Sequence, residues 1–334
     1  MDSARDARKP VQKIHLPART TGTCFIFAAM PEVTNKPAGK AHWVAKGEKR
    51  LFLWEKASSA QGAARGTILF VHGSSEASTP VFDLQVPGRA NSSAMDWFAS
   101  HGFDTWCVDM EGYGRSTKDR SHNSDIATGA ADLEAAARHI RSLRGEAPLL
   151  VYGISSGALR AALFAQNHPQ LVGRLALDAF VYSGEGSPTL AERRKRLPQF
   201  LASNTRPLDR ASIHAIFERD HPGAADRQVV DAYADAVLAL DSDLPTGTYA
   251  DMCSKLPVVD PARVIVPTVI MRGEFDGIAS LDDLYTFFAR LPNPDKQFAV
   301  MPGIAHSSFQ ERNYMLAYEI LLAFFSRPAL AYTS

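Results

Sequence analysis

Residues 149–165 read LLVYGISSGALRAALFA, and the fold is decided there. An apolar run, 149–152, meets Gly153-Ile154-Ser155-Ser156-Gly157, and a helix-forming stretch follows at once. The order is strand, tight turn, helix. Such a turn forces its central serine into a strained backbone conformation. Small residues two positions to either side let strand and helix approach closely enough to make it. The Ser155 hydroxyl is then lifted to the end of a sheet, and the first amide of the following helix points at the same spot. Ser155 is therefore the candidate nucleophile.

Outward from this turn, apolar strands alternate with helical patterns. Residues 41–56 read as two short strands about Lys46-Gly47-Glu48, a hairpin signal. TILFVHG (67–73), FDTWCVD (103–109), LLVYGI (149–154), RLALDAFV (174–181), PTVIMRGE (267–274) and KQFAVMPG (296–303) read as further strands. Helical spacing appears at 92–101, 126–144, 156–167 and 311–326. Strands apolar on both faces and separated by helices imply an α/β fold with a mostly parallel central sheet flanked by helices. The alternation breaks at about 183–264, which reads as helices alone, with Ser187-Pro188 and Asp209 as helix starts. The expected organisation is an N-terminal arm at 1–40, a core at 41–183 and 265–334, and a helical cap at 184–264 inserted between strands.

A serine hydroxyl needs a base, and histidine held by a carboxylate is the usual one. In this strand order the acid should come next in the chain and the histidine last. Asp276 follows the strand at 267–274 and His306 follows the last strand. Carboxyl ends of parallel strands are where such sheets build sites. Among the ten histidines, His306 stands out by this position and by the Pro302-Gly303 turn before it. His72, also at a strand end, suits a structural hydrogen bond in its turn. Asp178 is the rival acid. Glu274 is too early in its turn, and Asp109 reads as a turn-holding acid. The oxyanion of a tetrahedral intermediate needs two donors, expected from the backbone N–H groups of Ser156 and Ser74. The Ser156 side chain, a rival nucleophile, has its glycines at the wrong offsets.

With these residues in hand, the chain resembles the α/β-hydrolase superfamily over about 41–325. The match rests on His72-Gly73, the Asp109-x-x-Gly-Tyr-Gly-x-Ser116 turn, the elbow at Ser155, Asp276 and His306. The resemblance implies esterases, lipases, thioesterases, C–C bond hydrolases, lactonases or acyltransferases. Serine at the elbow disfavours the epoxide hydrolases and dehalogenases, which use aspartate there. Ser74-Ser75 departs from the glycine run of the hormone-sensitive-lipase-like branch.

The function expected is cleavage of a carboxylic ester of a small-to-medium, mostly apolar substrate through an acyl-enzyme on Ser155. Phe82, Phe217, Tyr233, Tyr249 and Met252 are candidate pocket residues, each also at home in core packing. The alternatives are a C–C hydrolase, lactonase or acyltransferase using the same three residues, and a non-catalytic ligand receptor. Activated-ester turnover separates the receptor from the enzymes.

Composition limits the partners. The 36 basic and 36 acidic residues cancel, which leaves no electrostatic footprint for nucleic acid or an anionic membrane. The dense basic run Arg193-Arg194-Lys195-Arg196 reads as a solvated helix face. No apolar run is long enough to span a membrane, and no apolar core near the start suggests a secretory signal. Cys24, Cys107 and Cys253 are odd in number and widely spaced, against a disulfide framework or a zinc site. No metal and no cofactor are expected. The expectations are a cytoplasmic location, a small-molecule substrate, and a homodimer through the arm.

Overall fold

A computed structural model describes residues 32–34, 36–328 and 331. Most of the expected arm, 1–31, and with it Cys24 and the expected dimer element, lies outside the described residues. The sheet begins slightly earlier than the sequence pattern suggests. Strands β1 (Gly39–Lys46) and β2 (Lys49–Lys56) form an antiparallel hairpin that turns at Gly47, whose φ of 59° favours glycine. Strand β3 (Gly66–Val71) leads through a loop to the short helix α1 (Ser78–Phe82). Helix α2 (Ala94–Ser100) starts where Ser93 accepts the Asp96 N–H, and β4 (Phe103–Asp109) is buried along its whole length.

Helix α3 (Ile126–Arg144) is capped by Asp125, which accepts the Thr128 N–H, and ends at Gly145 with φ 98°. Then come β5 (Leu149–Ile154), α4 (Ser156–Asn167) and β6 (Val172–Asp178). The insertion holds α5 (Pro188–Arg194), α6 (Leu197–Ala202), β7 (Thr205–Pro207), α7 (Arg210–Arg219), α8 (Arg227–Leu238), β8 (Asp243–Pro245) and α9 (Gly247–Ser254). The chain closes with β9 (Thr268–Gly273), α10 (Leu281–Arg290), β10 (Lys296–Met301) and α11 (Tyr314–Phe325).

Eight strands form one sheet in the order β1-β2-β4-β3-β5-β6-β9-β10. The pairs β1–β2 and β2–β4 are antiparallel, and every pair from β4 to β10 is parallel. Register aligns the carboxyl ends: Val71 opposite Gly153, Ile154 opposite Asp178, and Gly273 opposite Met301. The α/β architecture expected from the alternation is therefore present. The core joins both faces, with Leu69, Phe70, Trp106 and Val151 fully buried in the strands and Phe98, Leu133, Phe164 and Leu321 in the helices.

One expectation needs correction, and one element goes unassigned by the sequence pattern. The insertion is not all helix. β7 and β8 pair as a two-stranded antiparallel ribbon. Three-residue strands are too short to show a period of two, and each ends in a proline, which reads as a turn. Helix α10 is assigned by no sequence pattern above, though Ser280 caps it and Leu284 and Phe287 bury its inner face. No helix among the described residues is long and apolar enough to cross a membrane.

Candidate active site

Ser155 sits between β5 and α4 with φ 57° and ψ −125°. A non-glycine residue there stores strain of about 1–3 kcal/mol, which surrounding structure must hold. Its N–H donates to the Asp178 carbonyl at 2.9 Å, and its carbonyl accepts the Ala158 N–H at 3.0 Å. The sharpness of the turn depends on Gly157, because a Cβ there would stand 2.3 Å from the Val71 carbonyl oxygen.

The structure brings Ser155, His306 and Asp276 together. His306 Nε2 lies 3.1 Å from Ser155 Oγ, and His306 Nδ1 lies 2.9 Å from Asp276 Oδ1. The same Asp276 oxygen accepts the Ile278 N–H at 3.0 Å. All three side chains come from loops at carboxyl ends of parallel strands. His306 is buried, which disfavours its charged form. The Asp276 carboxylate outweighs that burial and raises its pKa. An imidazole so placed can accept the serine proton while its other nitrogen stays protonated toward the carboxylate.

The rivals are engaged elsewhere. The Asp178 carboxylate accepts the Tyr152 hydroxyl at 2.7 Å, and complete burial pushes its pKa to about 7. Ser156 Oγ accepts from Ser74 Oγ at 2.7 Å, and Ser74 Oγ accepts from Thr248 at 2.9 Å. Glu274 turns outward and accepts the Gly303 N–H. His72 is the structural residue its position suggests. Its Nε2 accepts the Met110 N–H at 3.0 Å, so Nδ1 carries the proton and donates to the Gly73 carbonyl at 2.8 Å. Burial, aided by Arg160, holds its pKa near 3 and keeps the ring neutral. Asp109 accepts the N–H groups of Ser78 and Arg115 and so braces the 112–116 turn.

The loop after β3 is shaped by two residues that the sequence pattern does not single out. Glu76 accepts the Gly73 N–H at 2.8 Å through one oxygen and the Ser75 N–H at 3.1 Å through the other. Burial raises its pKa, while those bonds, His306 and Tyr233 pull it back. The Ser74 N–H between them, like that of Ser156, has no acceptor among the described residues. Arg160, fully buried in α4, donates to the carbonyls of His72 and Gly73 at 3.2 and 3.3 Å. Glu76, three residues beyond the glycine, is the one signal in the sequence for this bracing.

A cavity of about 40 Å³ opens at Ser155 and His306, walled by Ser74, Glu76, Tyr233 and Tyr249 among others. It adjoins a chamber of about 440 Å³ through shared walls at Ser75, Arg193, Ile216, Arg219 and Tyr249. Of the expected pocket residues, Tyr233 and Tyr249 line the cavity and three do not. Phe82 is buried against Phe70 and Phe309, part of the core beneath the loop. Phe217 packs edge-on against the Tyr233 ring and faces a separate cavity within the insertion. Met252 is fully buried in α9. Aromatic and Met side chains marked these sites in the sequence, yet burial in the core satisfies them better than a wet cavity does.

The basic run also contributes to the lining, beside Leu208, Ala215 and Ile216, which its reading as a solvated helix face does not anticipate. Arg194, Lys195 and Arg196 are exposed, but Arg193 at the end of α5 turns inward and lines both spaces. Asp220, Asp276 and His306 form the one trio among the described residues with ligand atoms within 4.8 Å of one another. Asp276 and His306 are hydrogen-bonded in line with Ser155, and Asp220 forms an ion pair with Arg219 at 2.5 Å. Cys107 and Cys253 are buried free thiols.

Solved structures share this architecture. E-2-(acetamidomethylene)succinate hydrolase superposes with a TM-score of 0.62 at 20% identity, over 87% of this chain and 100% of that one. A hydrolase from Pseudomonas aeruginosa PA01 gives 0.64 at 16% identity, over 87% and 100%. A highly thermostable carboxyl esterase from Bacillus coagulans gives 0.63 at 16% identity, over 86% and 97%. No curated protein matches the chain. Residues 62–313 match the hydrolase family described as serine aminopeptidase, S33, and that span takes in the strained serine, the carboxylate and the histidine. The chain belongs to this family of the α/β-hydrolase superfamily.

Proposed function

We propose that the chain is a serine hydrolase that cleaves a carboxylic ester of a small molecule through an acyl-enzyme on Ser155. One observation carries the proposal: a strained, cavity-facing serine hydroxyl 3.1 Å from an imidazole whose far nitrogen is 2.9 Å from a buried carboxylate. His306 Nε2 takes the Ser155 proton as Oγ attacks the ester carbonyl. Asp276 holds the tautomer and stabilises the imidazolium. The free N–H groups of Ser74 and Ser156 are the donors for the oxyanion, each worth about 10²–10³ in rate. His306 then protonates the departing alkoxide. Water attacks the acyl-enzyme in a second passage through the same relay and frees the acid and the serine.

A fluorophosphonate probe followed by peptide mapping tests the assignment. Modification at Ser155 is expected, and modification at another residue would overturn it. Ser155→Ala should lower ester turnover by about 10⁴–10⁶ while leaving a folded chain.

A further inference from the structure

The chamber beside the cavity carries an unbalanced positive charge. Arg193, Arg196, Arg206 and Arg219 all line it, against a single carboxylate, Glu192. Glu192 pairs with Lys195 at 2.6 Å, and Asp220 engages Arg219. Arg193 and Arg206 have no acidic partner among the described residues. The Arg193 guanidinium lies 4.0 Å and that of Arg206 4.4 Å from the centre of the Tyr249 ring. Arg206 Nη2 is anchored by the Ser74 carbonyl and Ser75 Oγ, both at 2.9 Å. Its Nε is buried with no partner. The Tyr249 hydroxyl lies 3.0 Å from Ser75 Oγ.

The two partly buried guanidinium groups share one phenol, whose pKa of about 7 leaves it only partly ionised near neutral pH, and a cavity that holds cations in excess of their counter-charge is built for an anion. We infer that the substrate carries a carboxylate remote from its scissile ester, and that Arg193 and Arg206 bind this carboxylate in the chamber while the ester carbonyl sits at Ser155. The inference rests on the serine-hydrolase reading and narrows it to half-esters and related acyl compounds of organic diacids. Guanidinium groups present paired N–H donors that match the two oxygens of a carboxylate. Tyr249 gives both cations a π-face and places its hydroxyl at the chamber wall near Ser75. The size of the chamber suits a short carbon chain bearing that group.

The test compares para-nitrophenyl hexanoate with its acid counterpart, mono-para-nitrophenyl adipate. A charged hydrogen-bonded contact should favour the adipate ester in kcat/KM by about 10- to 100-fold. Arg193→Gln breaks no hydrogen bond to oxygen or nitrogen and should collapse that ratio toward one, chiefly through KM. Arg193→Lys should recover part of it. Equal or better turnover of the neutral ester by the wild-type protein would overturn the inference while leaving the hydrolase reading intact. A tenfold preference for the matching phosphonate-terminated ester over the adipate ester would overturn the carboxylate assignment. Fluorophosphonate labelling run in parallel reports on Ser155 alone. Should that labelling fail, calorimetry with adipate decides the chamber. Binding lost in Arg193→Gln supports it, and no binding to the wild-type protein overturns it.

Discussion

Gly153 and Gly157 press together across the turn that holds Ser155: a Cβ on Gly153 would stand 2.4 Å from the Gly157 carbonyl oxygen. That is backbone, so the clash has no flexible side chain to absorb it. Gly153→Ala should destabilise the fold by about 1–3 kcal/mol. The denaturant midpoint measures this, and an unchanged midpoint would contradict so close an approach of strand and helix.

In the proposed reaction the His306 pKa governs the acidic limb of the pH profile. Burial lowers it and Asp276 raises it further, so it lies above 6.5. The neutral imidazole is the form that accepts the serine proton. Activity in kcat/KM therefore rises with pH through a midpoint above 6.5. Asp276→Asn removes the stabilising charge, moves the midpoint down and lowers kcat by about 10⁴. A limb unmoved by that substitution would mean that another group sets it.

Glu76 fixes the loop that carries the Ser74 N–H. Glu76→Ala frees both Gly73 and Ser75, and a donor displaced by about 1 Å costs about 10²-fold. The loss should fall on kcat with little change in KM, because the oxyanion exists only beyond the ground state. Steady-state kinetics on a neutral ester check this, and a pure KM effect would argue against it.

Tyr249 should ionise far below the ordinary tyrosine range. Burial pushes its pKa up, but Arg206 and Arg193 outweigh it and bring it to about 7. A pH titration of the tyrosinate absorbance should show one early transition. Tyr249→Phe should abolish it, and Arg206→Gln should shift it upward. The absence of any early transition would show the guanidinium groups to be farther from the ring.

The sheet was readable because each strand is apolar along its length and each ends in a turn signal. The grouping of Ser155, Asp276 and His306 was readable because strand ends mark where sites form and chain order paired them. Arg193 was not, since four basic residues in a row look alike until the helix axis fixes which one turns inward. Arg206 and Glu76 act through backbone groups distant in sequence or through a loop without periodicity. Met252, Phe82 and Phe217 show the converse. An apolar side chain in the sequence does not say whether it faces a neighbour or a hollow.

Arg206 joins two parts of the molecule with different geometric demands. The strand-end loops place the hydroxyl, imidazole and amide groups about the Ser155 cavity, whereas the inserted segment walls the chamber beside it. One guanidinium crosses between them and grips the Ser74 peptide. An exchange of this segment for one from another hydrolase would therefore change more than selectivity. It would also release the strut beneath the 73–76 loop, and the hybrid would need that grip rebuilt before it could turn over any compound well.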